Sequence, residues 1–237
     1  MKKRTIQKAF QKNLQRIQTA KDSLTDLTSD EILLIDAANP NTPPEILEAL
    51  SFNKDNRVRN TVASNFFTPL KVLIALANDS EKTVKAAVAE NPNTTTEILK
   101  ILVDNSGSFI KGLVARHSNC SREMLRKLSK SPEGNILISV AQNVNTDIDI
   151  LRKLSKNTDV EIQDDIQKEL AQNPSTPEDI LEKLADSSDF FIQLKLVGNP
   201  NCSVKVLKKL SQCNSRYIKS RVDERIKKIN DSKKEKV

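Results

Sequence analysis

The sequence predicts an all-α solenoid of seven short two-helix repeats with a period of 26 residues. Three observations predict it. A polar anchor recurs at positions 39, 65, 91, 117, 143, 173 and 199, spaced by 26 except for one step of 30. Six apolar columns keep phase with those anchors, which chance does not do over seven copies. Ser, Asn, Asp and Pro punctuate each period into two helical stretches, neither able to bury a core without its neighbours.

Residues 1–38 precede the first anchor. Ile6, Phe10, Leu14 and Ile17 share one helical face, with Lys8, Lys12 and Arg16 opposite. The plainest reading is a basic amphipathic helix capping the first repeat. The same stripe also suits a partner-docking helix, a basic membrane-surface helix or an acid-poor targeting peptide.

The repeats occupy residues 39–223. Asn91 sets the pattern, with Ile98, Leu99 and Leu102 on the first helix and Ile110, Val114 and Ala115 on the second. Asn39 likewise gives Ile46, Leu47, Leu50, Val58, Val62 and Ala63. Asn65, His117, Asn173 and Asn199 repeat the offsets. Thr42-Pro43-Pro44-Glu45 and Thr94-Thr95-Thr96-Glu97 fit a capping box, the hydroxyl taking an orphan N–H of the first helix. Thr68-Pro69 and Thr176-Pro177 place proline at the first helical position. The first helix is expected to run about three turns and the second to be shorter. In the step of 30, Ile162, Ile166 and Leu170 are four apart, which predicts a second helix lengthened by one turn, bearing Glu161, Asp164, Asp165 and Glu169. Residues 224–237 form a basic tail.

Asn-Pro-Asn-Thr-Pro, Ile-Leu, Leu-Ser/Ala, then Val-Arg and Val-Ala, clearest from Asn39 to Ala63, resembles the leucine-rich repeat variant family. The resemblance covers roughly residues 37 to 223. It implies a right-handed superhelix of alternating α and 3₁₀ helices, related to HEAT and armadillo solenoids. It implies no shared activity. An N-terminal iron–sulfur module occurs in the family, but no cysteine precedes Cys120 here, so that module does not carry over.

Composition narrows the function. The net charge of +7 divides into +4 over residues 1–30, +8 over 205–237 and −5 over the body between. An acidic body with basic ends argues against a continuous nucleic-acid groove. Catalytic equipment is not evident. The single histidine, His117, stands at an anchor position; Cys120 and Cys202 stand where other copies have Thr; and the three cysteines lack zinc-ligand spacing. The four glycines form no phosphate loop. No apolar run approaches the ~20 residues of a membrane span.

Two surfaces are candidate binding sites. Arg59, Lys85 and Lys111 lie 20 residues after successive anchors, a basic strip preceded by the acidic column Asp55, Glu81, Glu133, Asp159 and Asp189. Pairing along the helix (i, i+4) is the structural reading, a partner-facing strip the functional one. Phe66 and Phe67 replace Pro-Asn after an anchor and are candidate hot-spot residues. Phe109, Phe191 and Tyr217 share a column with Phe190 beside it; inter-repeat packing is the ordinary explanation, and so few rings argue against a base-stacking platform. The sequence therefore points to a cytoplasmic, non-enzymatic scaffold without cofactor or metal, binding a protein or peptide along the repeat surface. A nucleic-acid-associated helical-repeat protein using its basic termini is the alternative.

Overall fold

The computed structural model describes residues 29–234. The predicted stripe Ile6, Phe10, Leu14 and Ile17 lies outside the described residues. Every described element is an α-helix. The chain divides into two compact units, Met1–Asn119 and Cys120–Val237. Unit 1 contains α1 (Ser29–Ala38), α2 (Pro44–Leu50), α3 (Asn56–Ser64), α4 (Leu70–Leu76), α5 (Lys82–Glu90), α6 (Thr96–Asn105) and α7 (Ser108–Arg116). Unit 2 contains α8 (Arg122–Leu128), α9 (Gly134–Gln142), α10 (Ile148–Leu154), α11 (Gln163–Gln172), α12 (Glu178–Leu184), α13 (Phe190–Gly198), α14 (Val204–Leu210) and α15 (Arg216–Lys234).

Both units are built alike. Second helices pack directly on one another: α1, α3, α5 and α7 in unit 1, and α9, α11, α13 and α15 in unit 2. First helices touch each other more sparsely, so the second helices form the tighter layer. The predicted columns are the core. Ile98, Leu99 and Leu102 are buried on α6, Ile110, Val114 and Ala115 on α7, and their equivalents elsewhere match. Each fully buried Leu or Ile contributes about 1.5–3 kcal/mol relative to exposure.

Helix lengths reverse the expectation. Apart from α6, first helices have seven residues, whereas second helices α3, α5, α7, α9 and α13 have nine. Both helices of each described repeat are α-helical rather than one being 3₁₀. Proline fixes the start of several first helices, but as the N-cap: Pro43, Pro69 and Pro177 stand just outside the first turn. Their ends fold over at an αR residue such as Ser51 or Ala77, whose N–H closes the last turn.

The capping box is corrected as well. No side chain caps α2 or α6. The threonine hydroxyl points backward, donating to a carbonyl six residues earlier at the end of the preceding second helix. Thr94 bonds Val88 O at 2.6 Å, Thr146 bonds Val140 O at 2.6 Å, and Thr176 bonds Leu170 O at 2.7 Å. A buried carbonyl needs a donor more than a half-exposed N–H does. Side-chain caps occur elsewhere: Asp55 on α3, Ser121 on α8, Asp189 on α13 and Ser203 on α14.

The step of 30 is not absorbed by a longer helix. α11 has ten residues, and the extra chain forms a turn in which Ile162 and Gln163 donate to Asp159 O. Ile166 and Leu170 fill the buried columns, while Ile162 is half-buried. Ile162 instead packs on Gly134, where an added Cβ would lie 2.5 Å from its Cγ2. A β-branched side chain cannot swing its Cγ2 away cheaply. Gly134→Ala is therefore expected to destabilise the chain by about 1–3 kcal/mol despite alanine's better helix propensity. Adding Ile162→Ala should recover part of the loss in urea denaturation; an additive double mutant would contradict the contact.

Candidate functional site

Anchor residues knit each repeat to the one before. Asn65 Nδ2 donates to Ala37 O and Asn39 O at 2.8 and 3.0 Å. Asn91 Nδ2 donates to Ala63 O and Asn65 O at 2.7 and 3.0 Å, Asn173 to Ala141 O and Asn143 O at 2.7 and 3.0 Å, and Asn199 to Ala171 O and Asn173 O at 2.9 and 3.0 Å. Each Oδ1 accepts the N–H two residues on, as Asn91 does from Asn93 at 2.9 Å. His117 fits the same geometry. Its Nε2 faces Asn91 O at 3.0 Å, and its Nδ1 accepts from Asn119 N at 3.0 Å, which assigns the proton to Nε2. The imidazole is an amide substitute held inside the fold.

Cys120 and Cys202 are buried, and burial pushes their thiols up to about 12 and about 11. Neither is a thiolate near neutral pH. Among the described residues, no group of three His, Cys, Asp or Glu could hold a metal ion.

The basic strip falls within unit 1, and its members differ. Arg59 is committed to the fold: its guanidinium meets the Asp79 carboxylate at 2.7 and 2.9 Å and donates to Asn53 O at 2.9 Å. The two side chains are only 14% and 8% exposed. Burial would raise the Asp79 carboxyl, but hydrogen bonds from Arg59 and the Glu81 N–H hold it below the usual range. The expected Asp55–Arg59 pair does not form, because Asp55 bonds the side chain and N–H of Arg57. Gln193, in the same column of unit 2, similarly donates to Ser187 O at 2.8 Å. Lys85 is half-buried and reaches Asn105 O at 3.5 Å, and Lys111 is half-buried on α7.

Phe66 and Phe67 lie at the surface, 54% and 55% exposed, with rings edge-on at 5.3 Å. Asn93 Nδ2 donates to Phe66 O at 2.5 Å and pins the turn. The sequence reading missed Leu70 and Ile74, exposed apolar residues one turn apart on the helix that follows this turn, α4, at 49% and 46% exposure. The signal was available. Nine residues after the anchors stand Glu48, Ile74, Lys100, Arg126, Arg152, Glu182 and Lys208, charged at every copy except Ile74. Several of those charges pair with the next first helix, as in Lys71–Glu48 (2.5 Å), Arg152–Asp179 (2.9 Å) and Lys205–Glu182 (2.9 Å). Ile74 interrupts that pattern.

In unit 2, Phe190, Phe191 and Tyr217 form one exposed cluster. The Phe190 ring lies 5.7 Å from Phe191 and 6.1 Å from Tyr217. Phe109, from the same predicted column, is in unit 1 and 62% exposed. The Phe190–Tyr217 contact joins neighbouring repeats as expected, but Phe109, Phe191 and Tyr217 themselves stay more than half exposed.

The fold is that of a leucine-rich repeat variant. A solved structure described as a leucine-rich repeat variant with a novel repetitive protein structural motif is similar at a TM-score of 0.52. It is 18% identical and covers 87% of this chain and 80% of that one, a likeness of fold. No protein-family model and no curated protein matches the sequence. No described helix is long and apolar enough to cross a membrane.

Proposed function

We propose that this repeat protein is a non-enzymatic binding scaffold, with the surface from Phe66 to Ile74 taking an amphipathic helix of a partner protein. The carrying observation is Ile74, an exposed apolar residue in a column that is otherwise charged. With Phe66, Phe67 and Leu70 it places four roughly half-exposed apolar side chains within nine residues. Two lie on a helix and two on a pinned turn, so little rotamer and loop freedom is lost on binding. Glu48 on α2, Lys71 on α4 itself, and Glu97 and Lys100 on α6 supply charges of both signs, which suits a helix with an apolar stripe and mixed-charge flanks.

A photo-crosslinking phenylalanine analogue at position 66, followed by sequencing of the captured peptide, tests this reading. The expected product is a segment with apolar residues three and four apart, taken from one partner. Phe66→Ser with Phe67→Ser should weaken that partner's binding by at least about tenfold, with stability changed by no more than about 0.5 kcal/mol. Crosslinks to a second copy of this chain, or binding unchanged in the double variant, would overturn it.

A further inference from the structure

A different surface, at the C-terminal end of unit 2, combines exposed rings with an excess of positive charge. Phe191 and Tyr217 are 60% and 55% exposed, with Phe190 between them. Beginning beside Tyr217, α15 carries Arg216, Lys219 and Lys227 along one exposed stripe. These three cations line a shallow groove of about 530 Å³ together with Ser220, Asp223 and Glu224, so cations outnumber carboxylates there by three to two.

Nearby acids are mostly occupied. Asp186 meets Lys209 at 2.7 Å, Glu224 meets Arg221 at 3.0 Å, and Asp189 accepts the N–H groups of Phe191 and Ile192. Asp223 is the carboxylate left within the stripe itself. Phe190 also lines a second groove of about 460 Å³, together with Gln212 and Asn214. Amides of this kind can donate to and accept from base edges.

We propose that this end of the chain binds single-stranded nucleic acid. Bases stack on Phe191 and Tyr217, and phosphates lie along Arg216, Lys219 and Lys227. Half-exposed planar rings beside a surplus of cations are the combination that sequence-tolerant single-strand binders use. An acidic peptide would be served by the cations but not by the rings. A duplex keeps its bases stacked within the helix and gains nothing from them. The inference is independent of the surface around Ile74, which lies in the other unit.

The chain supplies its own reporter, because Tyr217 is its one tyrosine and it has no tryptophan. A labelled fifteen-residue oligothymidylate is titrated with the full chain, read by anisotropy and by tyrosine emission. Binding with quenched emission is expected, weakening as salt rises from 50 to 200 mM. Phe191→Ala with Tyr217→Ala should weaken binding at least about tenfold and leave the salt slope nearly unchanged. Arg216→Gln with Lys219→Gln and Lys227→Gln should lower that slope by about 2, at about 0.7 for each phosphate contact. All these side chains are exposed, and an unaltered helical circular dichroism spectrum certifies each variant. The proposal fails if oligothymidylate does not bind at 50 mM salt, or if emission is unchanged on binding. It fails equally if a polyglutamate peptide or a duplex of equal charge binds as tightly.

Discussion

Asn91→Ala is expected to cost about 2–4 kcal/mol. The substitution removes three hydrogen bonds at once: to Ala63 O, to Asn65 O and from Asn93 N. Asn91 is 2% exposed, so water does not readily replace them. Asn65 O keeps the Thr68 N–H at 3.1 Å, but Ala63 O and the Asn93 N–H lose the bonds Asn91 gave them, at about 1–3 kcal/mol for each buried group left without a partner. Asn91→Asp should be no better. It keeps the acceptor for Asn93 but turns a carboxylate toward two carbonyl oxygens, which disfavours the charged form. Urea denaturation with a shared slope measures both. A loss below about 1 kcal/mol for Asn91→Ala would mean that apolar packing, not the amide ladder, holds neighbouring repeats together.

Arg225→Ala is expected to cost about 2–3 kcal/mol and to loosen the end of unit 2 selectively. Arg225 stands 26 residues after Asn199, where the next anchor would fall, and its guanidinium donates to Val197 O and Asn199 O. These are the same two carbonyl positions that Asn199 takes from the repeat before it. A cation replaces the amide on the last rung, and hydrogen bonds from charged groups contribute about 1.5–3 kcal/mol. Repeat stability is a sum over neighbours, so damage at a terminal rung stays local. Amide exchange should quicken across α15 and change little in α12. Arg225→Lys, which lacks the two-pronged guanidinium, should recover only part of the loss. Uniform acceleration throughout unit 2 would contradict a terminal lock.

Much of the fold was legible because its period is written in side chains that must be buried. Leu99, Leu102 and Val114 recur at fixed offsets, and the structure buries them and their equivalents. What the pattern could not reveal is where hydrogen bonds close. Thr94 followed by Glu97 satisfies a capping-box spacing, yet Thr94 turns back to Val88 O, because that carbonyl is created only when the preceding helix ends beneath it. Ile162 continued the helical stripe on paper, whereas the structure sets it against Gly134 from an earlier helix. Arg59 was placed correctly in a column, but its partner proved to be Asp79, 20 residues ahead, and not Asp55, four behind.

The candidate surfaces divide the same way. Phe66 and Phe67 could be named from sequence because they replace residues that every comparison with neighbouring copies marks as a turn. Leu70 and Ile74 were hidden among apolar neighbours on one short helix, and exposure separates them from Val72 and Leu73. Phe190, Phe191 and Tyr217 were close in a column, but only coordinates join them into one exposed cluster.

The sequence by itself determined the helical class, the period, the buried columns and the anchors, because all of these follow from the local spacing of apolar and polar side chains. Tertiary structure alone decided which carbonyl each Asn, Thr and Arg225 satisfies, where Ile162 packs and which apolar side chains remain in water. Those outcomes depend on groups some 20 to 30 residues apart being brought within hydrogen-bond or van der Waals reach, and no local pattern encodes that distance.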